Sequence, residues 1–159
     1  MGNFYTDVIK KSSKYDSIEG VRDLTLLEPV TRQKVINIIN KANLNKTPII
    51  VTETFRSINR QKYLFQKGAT KLQNVGVHHY GLAADFVFIV NGEPNWNVDY
   101  SPLWKWCAEE ELISGHDWGL PLLKHSFTDP DHVQRITLAD QTRLFNGSWY
   151  PDDNYSPIH

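Results

Sequence analysis

The segment that most restricts how this chain can fold is residues 82–90, LAADFVFIV, followed at once by Asn91-Gly92. A run this rich in apolar, β-branched and aromatic side chains predicts a buried strand, and Asn-Gly directly after it predicts a tight hairpin turn. One residue breaks the run. Asp85 places a carboxylate in the middle of an apolar strand, where burial is costly unless the charge is paired or binds a metal. Seven positions earlier stands His78, with Gly81 between them to permit a tight or positive-φ turn. The chain can therefore swing both side chains towards one point. At this spacing alone the pair reads equally well as two ligands or as a turn-capping aspartate beside a backbone-bonded histidine.

The rest of the pattern alternates helices with strands. Residues 29–44 carry Val35, Ile36, Ile39 and Ala42 at helical spacing behind Pro29, which suits the first turn of a helix. Residues 48–55 (PIIVTETF) read as a buried strand, and Ser57 can cap a helix over residues 58–67 that Gly68 stops. Ser101-Pro102 opens a helix expected to run through Ile113, with Gly115 ending it. A short strand over residues 133–136 and a helix over 138–145, closed by Gly147, complete the reading. This order predicts an α+β fold, a small antiparallel or mixed sheet flanked by helices, in one domain spanning residues 1–159.

Composition narrows the chemistry. The net charge is -1 with 22% charged residues, so no basic excess invites nucleic acid or anionic lipid. No run approaches the roughly 18 apolar residues of a membrane span, and the opening residues lack a secretory signal, so synthesis in the cytoplasm is expected. A monomer is expected too. The single cysteine, Cys107, excludes an internal disulfide and a cysteine metal cage, and it reads as a small buried hydrophobe. Any metal must then be held by His, Asp or Glu.

A second cluster, Asp129-Pro130-Asp131-His132, puts a carboxylate three residues before a histidine on a proline-stiffened loop. Catalytic zinc commonly takes three protein ligands and leaves a fourth position for water, while a further carboxylate handles the proton. His78, Asp85 and His132 suit the first role, and Asp129 the second.

Gly76 to Asp85 resembles the Ser-x-His-x-x-Gly-x-Ala-x-Asp motif of the zinc peptidases that include D-alanyl-D-alanine carboxypeptidases and bacteriophage L-alanyl-D-glutamate endopeptidases. It matches at His78, Gly81, Ala83 and Asp85. Asp129 and His132, followed by Gln134, are similar to the later acidic-x-x-His motif, and Phe55-Arg56-Ser57 with Gln61 to the aromatic-Arg-Ser stretch. Two positions depart from the family: Gly76 replaces its serine, and the Trp-containing glycine-rich segment is reduced to residues 115–119.

The resemblance implies the fold shared by Hedgehog domains and D,D-peptidases, Zn2+ bound by His78, Asp85 and His132, and Asp129 as general base. Arg56 would steady a substrate carbonyl or carboxylate, with Gln61 and Trp118 as further substrate contacts. The implied substrate is the peptide stem of bacterial peptidoglycan, cut between L-alanine and D-glutamate after release of an endolysin-type enzyme to the cell wall. Removal of a terminal D-alanine is the alternative, and a zinc-stabilised binding module is the alternative from another class. Of the other histidines, His79 should diverge from its neighbour, and His116, His125 and His159 have no spacing argument. Trp104 is expected to face the core.

Overall fold

The computed structural model describes residues 2–70, 75–117 and 129–152. Glu28 caps the first helix, α1 (Pro29–Leu44), by accepting from the Val30 and Thr31 amides, and Pro29 occupies its first turn. Strand β1 (Ile49–Glu53) follows, then α2 (Ile58–Gln66), capped by the Ser57 hydroxyl on the Arg60 amide at 2.9 Å. A single 3-10 turn, Val77–Tyr80, leads into β2 (Ala83–Val90). Asn91 and Gly92 both take positive φ and turn the chain into β3 (Glu93–Asn95), so the expected hairpin is present. After α3 (Ser101–Glu109) come β4 (Ile113–Ser114), β5 (His132–Gln134) and α4 (Gln141–Phe145).

The α3 helix ends earlier than its periodicity suggests. Glu111 takes a positive φ of 59°, and Ile113 and Ser114 leave the helix to pair with Gln134 and Val133. Ladder hydrogen bonds and burial of Leu112 outweigh another helical turn, a tertiary contest that local sequence does not express. The strands form an antiparallel sheet in the order β1-β2-β5-β4, with β3 also paired to β2.

The two faces of this sheet do different work. Even-numbered β2 residues Ala84, Phe86 and Phe88 join Ile49, Val51 and Val133 in a core closed by Val35 and Ile38 of α1 and by Leu103, Trp106 and Cys107 of α3. Odd-numbered Asp85 points the other way. On that side Phe4, Ile9, Val21 and Leu26 pack with Phe55, while Val77, Leu82, Ile136 and Leu144 form a third apolar cluster. No helix among the described residues is long and apolar enough to cross a membrane.

Candidate active site

The register of three strands assembles the site. Glu53 of β1 pairs with Asp85 of β2, and Asp85 pairs with His132 of β5, so the three side chains stand abreast on one face. A register shift between Val51 and Glu53 makes this possible. Val51 lies opposite Phe86 on the core face, and an unbroken ladder would have carried Glu53 to that face as well.

His78 arrives from the turn before β2. Gly81 has φ of 72°, and a Cβ there would lie 2.6 Å from the Leu26 carbonyl oxygen and 2.8 Å from Ile9 Cδ1, so only glycine fits. This reversal folds His78 back until its Nε2 is 3.2 Å from Asp85 Oδ1. From the other side His132 Nδ1 reaches the same oxygen at 3.0 Å. His78 Nδ1–H donates to the Thr54 carbonyl at 2.8 Å, which leaves Nε2 as its lone-pair nitrogen. Two imidazole nitrogens and a carboxylate oxygen thus converge.

That arrangement demands a cation. Without a metal, a proton fills the gap: burial depresses the His132 imidazole, but the hydrogen bond and charge of Asp85 outweigh it and raise its pKa. Burial likewise opposes ionisation of Asp85, yet His78 and His132 hold its carboxyl far below the usual range. The donor set also fits zinc, whose bonds of about 2.0–2.1 Å set tetrahedral ligand atoms about 3.3 Å apart. The two measured separations fall close to that edge, and all three candidate ligand atoms lie within 4.8 Å of one another.

Asp129 stands beside this trio. Oxygens of Asp85, Asp129 and Asp131 lie within 4.8 Å of one another. The Asp129 amide donates to the Gly115 carbonyl at 3.2 Å, and a Cβ on Gly115 would sit 2.2 Å from the Asp129 carbonyl oxygen, so the loop closes onto bare backbone. Trp104 braces the same loop by donating from Nε1 to the Pro130 carbonyl at 2.9 Å. It is half-buried at the core edge and stacks on His116 at 3.5 Å between ring centroids. Burial first, then a hydrogen bond with Asp129 and the charges of Asp85 and Asp129, push the Asp131 carboxyl up to about 9. Asp131 is therefore the protonated member of a carboxyl pair with Asp129.

Arg56 enters from the loop after β1. Its Nη2 bonds Glu53 Oε1 at 2.7 Å and Asp85 Oδ2 at 3.4 Å, and its Nη1 bonds Gln61 Oε1 at 3.3 Å. Its buried Nε has no hydrogen-bond partner among the described residues. Glu53 also holds Arg60 Nε at 2.9 Å. Burial works against ionising Glu53, but Arg56 more than compensates and lowers its pKa. Glu53 had the same sequence signal as Asp85, a carboxylate within an apolar strand, and sequence reasoning passed over it.

Gln61 is buried, and besides Arg56 it bonds the Thr70 hydroxyl at 3.2 Å. Trp118, His125 and His159 lie outside the described residues. His79 turns away from the trio, as expected from its adjacency. Its Nδ1–H donates to the Arg56 carbonyl at 3.2 Å and its Nε2 accepts from the Tyr5 hydroxyl at 2.7 Å, amid Tyr15, Phe55 and Tyr80. Burial lowers its pKa to about 4, so it is neutral.

A helix-flanked antiparallel sheet with a His-Asp-His cluster on the face away from α1 and α3 defines a protein of the D,D-peptidase and Hedgehog fold. No protein-family model matches the sequence. The chain is similar to the peptidoglycan L-alanyl-D-glutamate endopeptidase CwlK of Bacillus subtilis (strain 168), with 29% identity covering 69% of this chain and 74% of that one. Among solved structures, the L-Ala D-Glu endopeptidase ChiX of Serratia marcescens superposes with a TM-score of 0.57 at 22% identity, covering 79% of this chain and 97% of that one. The vancomycin-resistance D,D-pentapeptidase VanY, solved in complex with Zn(II), gives a TM-score of 0.50 at 14% identity, covering 76% and 78%. The chain therefore shares the fold of these peptidases and is similar in sequence to the Bacillus endopeptidase.

Proposed function

We propose that this protein is a zinc-dependent L-alanyl-D-glutamate endopeptidase acting on the peptide stem of bacterial peptidoglycan. The observation that carries the reading is the convergence of His78 Nε2 and His132 Nδ1 on Asp85 Oδ1, with Asp129 adjoining and outside that trio. A structural metal site is normally closed and needs no neighbouring base, which weighs against a binding module. His78, Asp85 and His132 would hold the zinc, which would supply a Lewis acid able to lower the pKa of water towards about 7 and to polarise the scissile carbonyl. Asp129 takes the proton of the attacking water and returns it to the leaving amine. Asp131, whose carboxyl is held protonated by burial and its acidic neighbours, donates to Asp129 and orients it. Arg56 adds positive charge where the tetrahedral oxyanion develops.

Arg56 also bears on the choice of bond. Both Nη2 hydrogens are engaged by Glu53 and Asp85, so the guanidinium presents no free two-pronged fork to a terminal carboxylate. That supports cleavage within the stem over release of a terminal D-alanine. An endolysin setting, in which the enzyme made in the cytoplasm is released to the wall, is part of the same proposal and rests on the resemblance of the two motifs to those of bacteriophage endopeptidases.

Mass spectrometry of purified peptidoglycan digested by the protein tests the reading. New amino-terminal D-glutamate, abolished by chelation and restored by zinc, is the expected result. Free D-alanine instead would establish the carboxypeptidase, and zinc binding with no new termini would establish the binding module.

A further inference from the structure

Gln134 is wholly buried, two residues beyond His132, at the end of β5. Its Nε2 donates to the Ile136 carbonyl at 2.7 Å, an acceptor that accommodates only a donor, so the amide has one orientation. Its Oε1 therefore faces His132 Nε2 at 2.9 Å and can only accept. His132 Nε2 must then carry a hydrogen, which leaves Nδ1 as the lone-pair nitrogen, and Nδ1 is the atom 3.0 Å from Asp85 Oδ1. The chain from the Ile136 carbonyl through Gln134 to His132 transmits an orientation from rigid backbone to the candidate metal position. His78 obtains the same service directly from the Thr54 carbonyl. His132, on a three-residue strand, has a side chain in that place instead.

We propose that Gln134 is a positioning residue for the metal: it fixes His132 as the Nε2–H tautomer and so presents Nδ1, and not Nε2, to zinc. The proposal rests on the zinc reading given above. Partners that orient a ligating histidine typically change metal affinity by about 10- to 100-fold when removed. Gln134→Leu keeps the bulk of the side chain and removes both hydrogen bonds, whereas Gln134→Glu keeps an acceptor facing His132.

The experiment is zinc affinity by competition with a chromophoric chelator, together with long-range proton–nitrogen NMR of the zinc-loaded wild type. The expected spectrum has His132 metal-bound at Nδ1 and protonated at Nε2. The expected affinity falls about 10- to 100-fold in Gln134→Leu and returns to within a few-fold of wild type in Gln134→Glu. Thermal unfolding of the metal-free variants separates lost affinity from lost fold, and the wild-type spectrum stands even if a variant does not fold. Coordination of His132 through Nε2, or wild-type affinity in a folded Gln134→Leu, overturns the role of Gln134 and leaves the zinc reading intact. A folded wild type that takes up no zinc overturns the zinc reading, and this proposal with it.

Discussion

Gly81 and Gly92 offer a controlled pair. Both have positive φ, 72° and 80°, but a Cβ on Gly92 meets nothing within 4 Å, whereas on Gly81 it lies 2.6 Å from the Leu26 carbonyl oxygen. An L-residue in the left-handed region costs about 1–2 kcal/mol, which is the whole expected effect of Gly92→Ala. Gly81→Ala carries that cost and must also displace backbone, since neither the Leu26 oxygen nor the Glu28 amide 3.4 Å away can rotate aside. Forced overpacking adds about 1–3 kcal/mol, so the total is about 2–5 kcal/mol. The displacement also shifts His78 relative to Asp85. Urea unfolding of the two variants in the presence of chelator reads the stability difference, and zinc competition reads the second effect, expected in Gly81→Ala alone. If Gly81→Ala proves no less stable than Gly92→Ala, the close approach does not govern this turn.

Asp129→Asn should retain zinc and fold but lose about a hundred- to ten-thousand-fold in turnover, because an amide cannot take the water proton. Asp131→Asn should keep turnover within a few-fold, since the amide replaces a protonated carboxyl as donor to Asp129; the reverse ranking in peptidoglycan digestion would reassign the base. Glu53→Gln strips the counter-charge from Arg56 and Arg60 and should destabilise by about 3 kcal/mol in urea titration, a loss under 0.5 kcal/mol refuting the role of that buried pair. The lowered Glu53 pKa means that its stabilisation is complete above the ordinary glutamate range and is lost as pH falls through and below it. His79 acts over a higher window: unfolded chains take up its proton near 6.5 and the folded protein only near 4, so stability falls across that interval by about 3 kcal/mol. His79→Phe should remove that slope from metal-free protein, and an unchanged slope would show that another group carries it.

Much of this arrangement is legible in the chain because the site sits on the regular part of the fold. Asp85 betrays itself by interrupting an apolar strand, and Gly81 by standing between His78 and Asp85, features that depend on local chemistry alone. Glu53 was equally visible, but its direction was not. Alternation along β1 would send Val51 and Glu53 to one face, and only pairing with β2 reveals the shift that separates them. The end of α3 escapes local pattern for a related reason, since Ile113 pairs with Gln134, over twenty residues away. Residues 4–23 form one short π-helix, Tyr5–Ile9, and no strand. Their order comes from contacts such as the Thr54 amide on the Val21 carbonyl at 2.7 Å and Tyr5 on His79, which no short-range pattern encodes.

The division of the sheet into two faces explains why a cluster so dense in charge can be held at all. The core face supplies apolar burial, with Phe86, Ala84 and Val133 covered by α1 and α3. That burial fixes the register of β1, β2 and β5, because a slip by one residue would drive Asp85 into the core. Register then places Glu53, Asp85 and His132 abreast, and each is tied to a neighbour further out: Arg60 to Glu53, Arg56 to Glu53 and Asp85, and Gln134 to His132. The lateral chain begins and ends on backbone, with Arg60 Nη1 on the Ile18 carbonyl and Gln134 Nε2 on the Ile136 carbonyl. Mutual repulsion of Asp85 with the lone pairs of His78 and His132 is therefore borne by a rigid frame and is relieved by a cation. The tight positioning of these three side chains follows from the same apolar packing that folds the sheet.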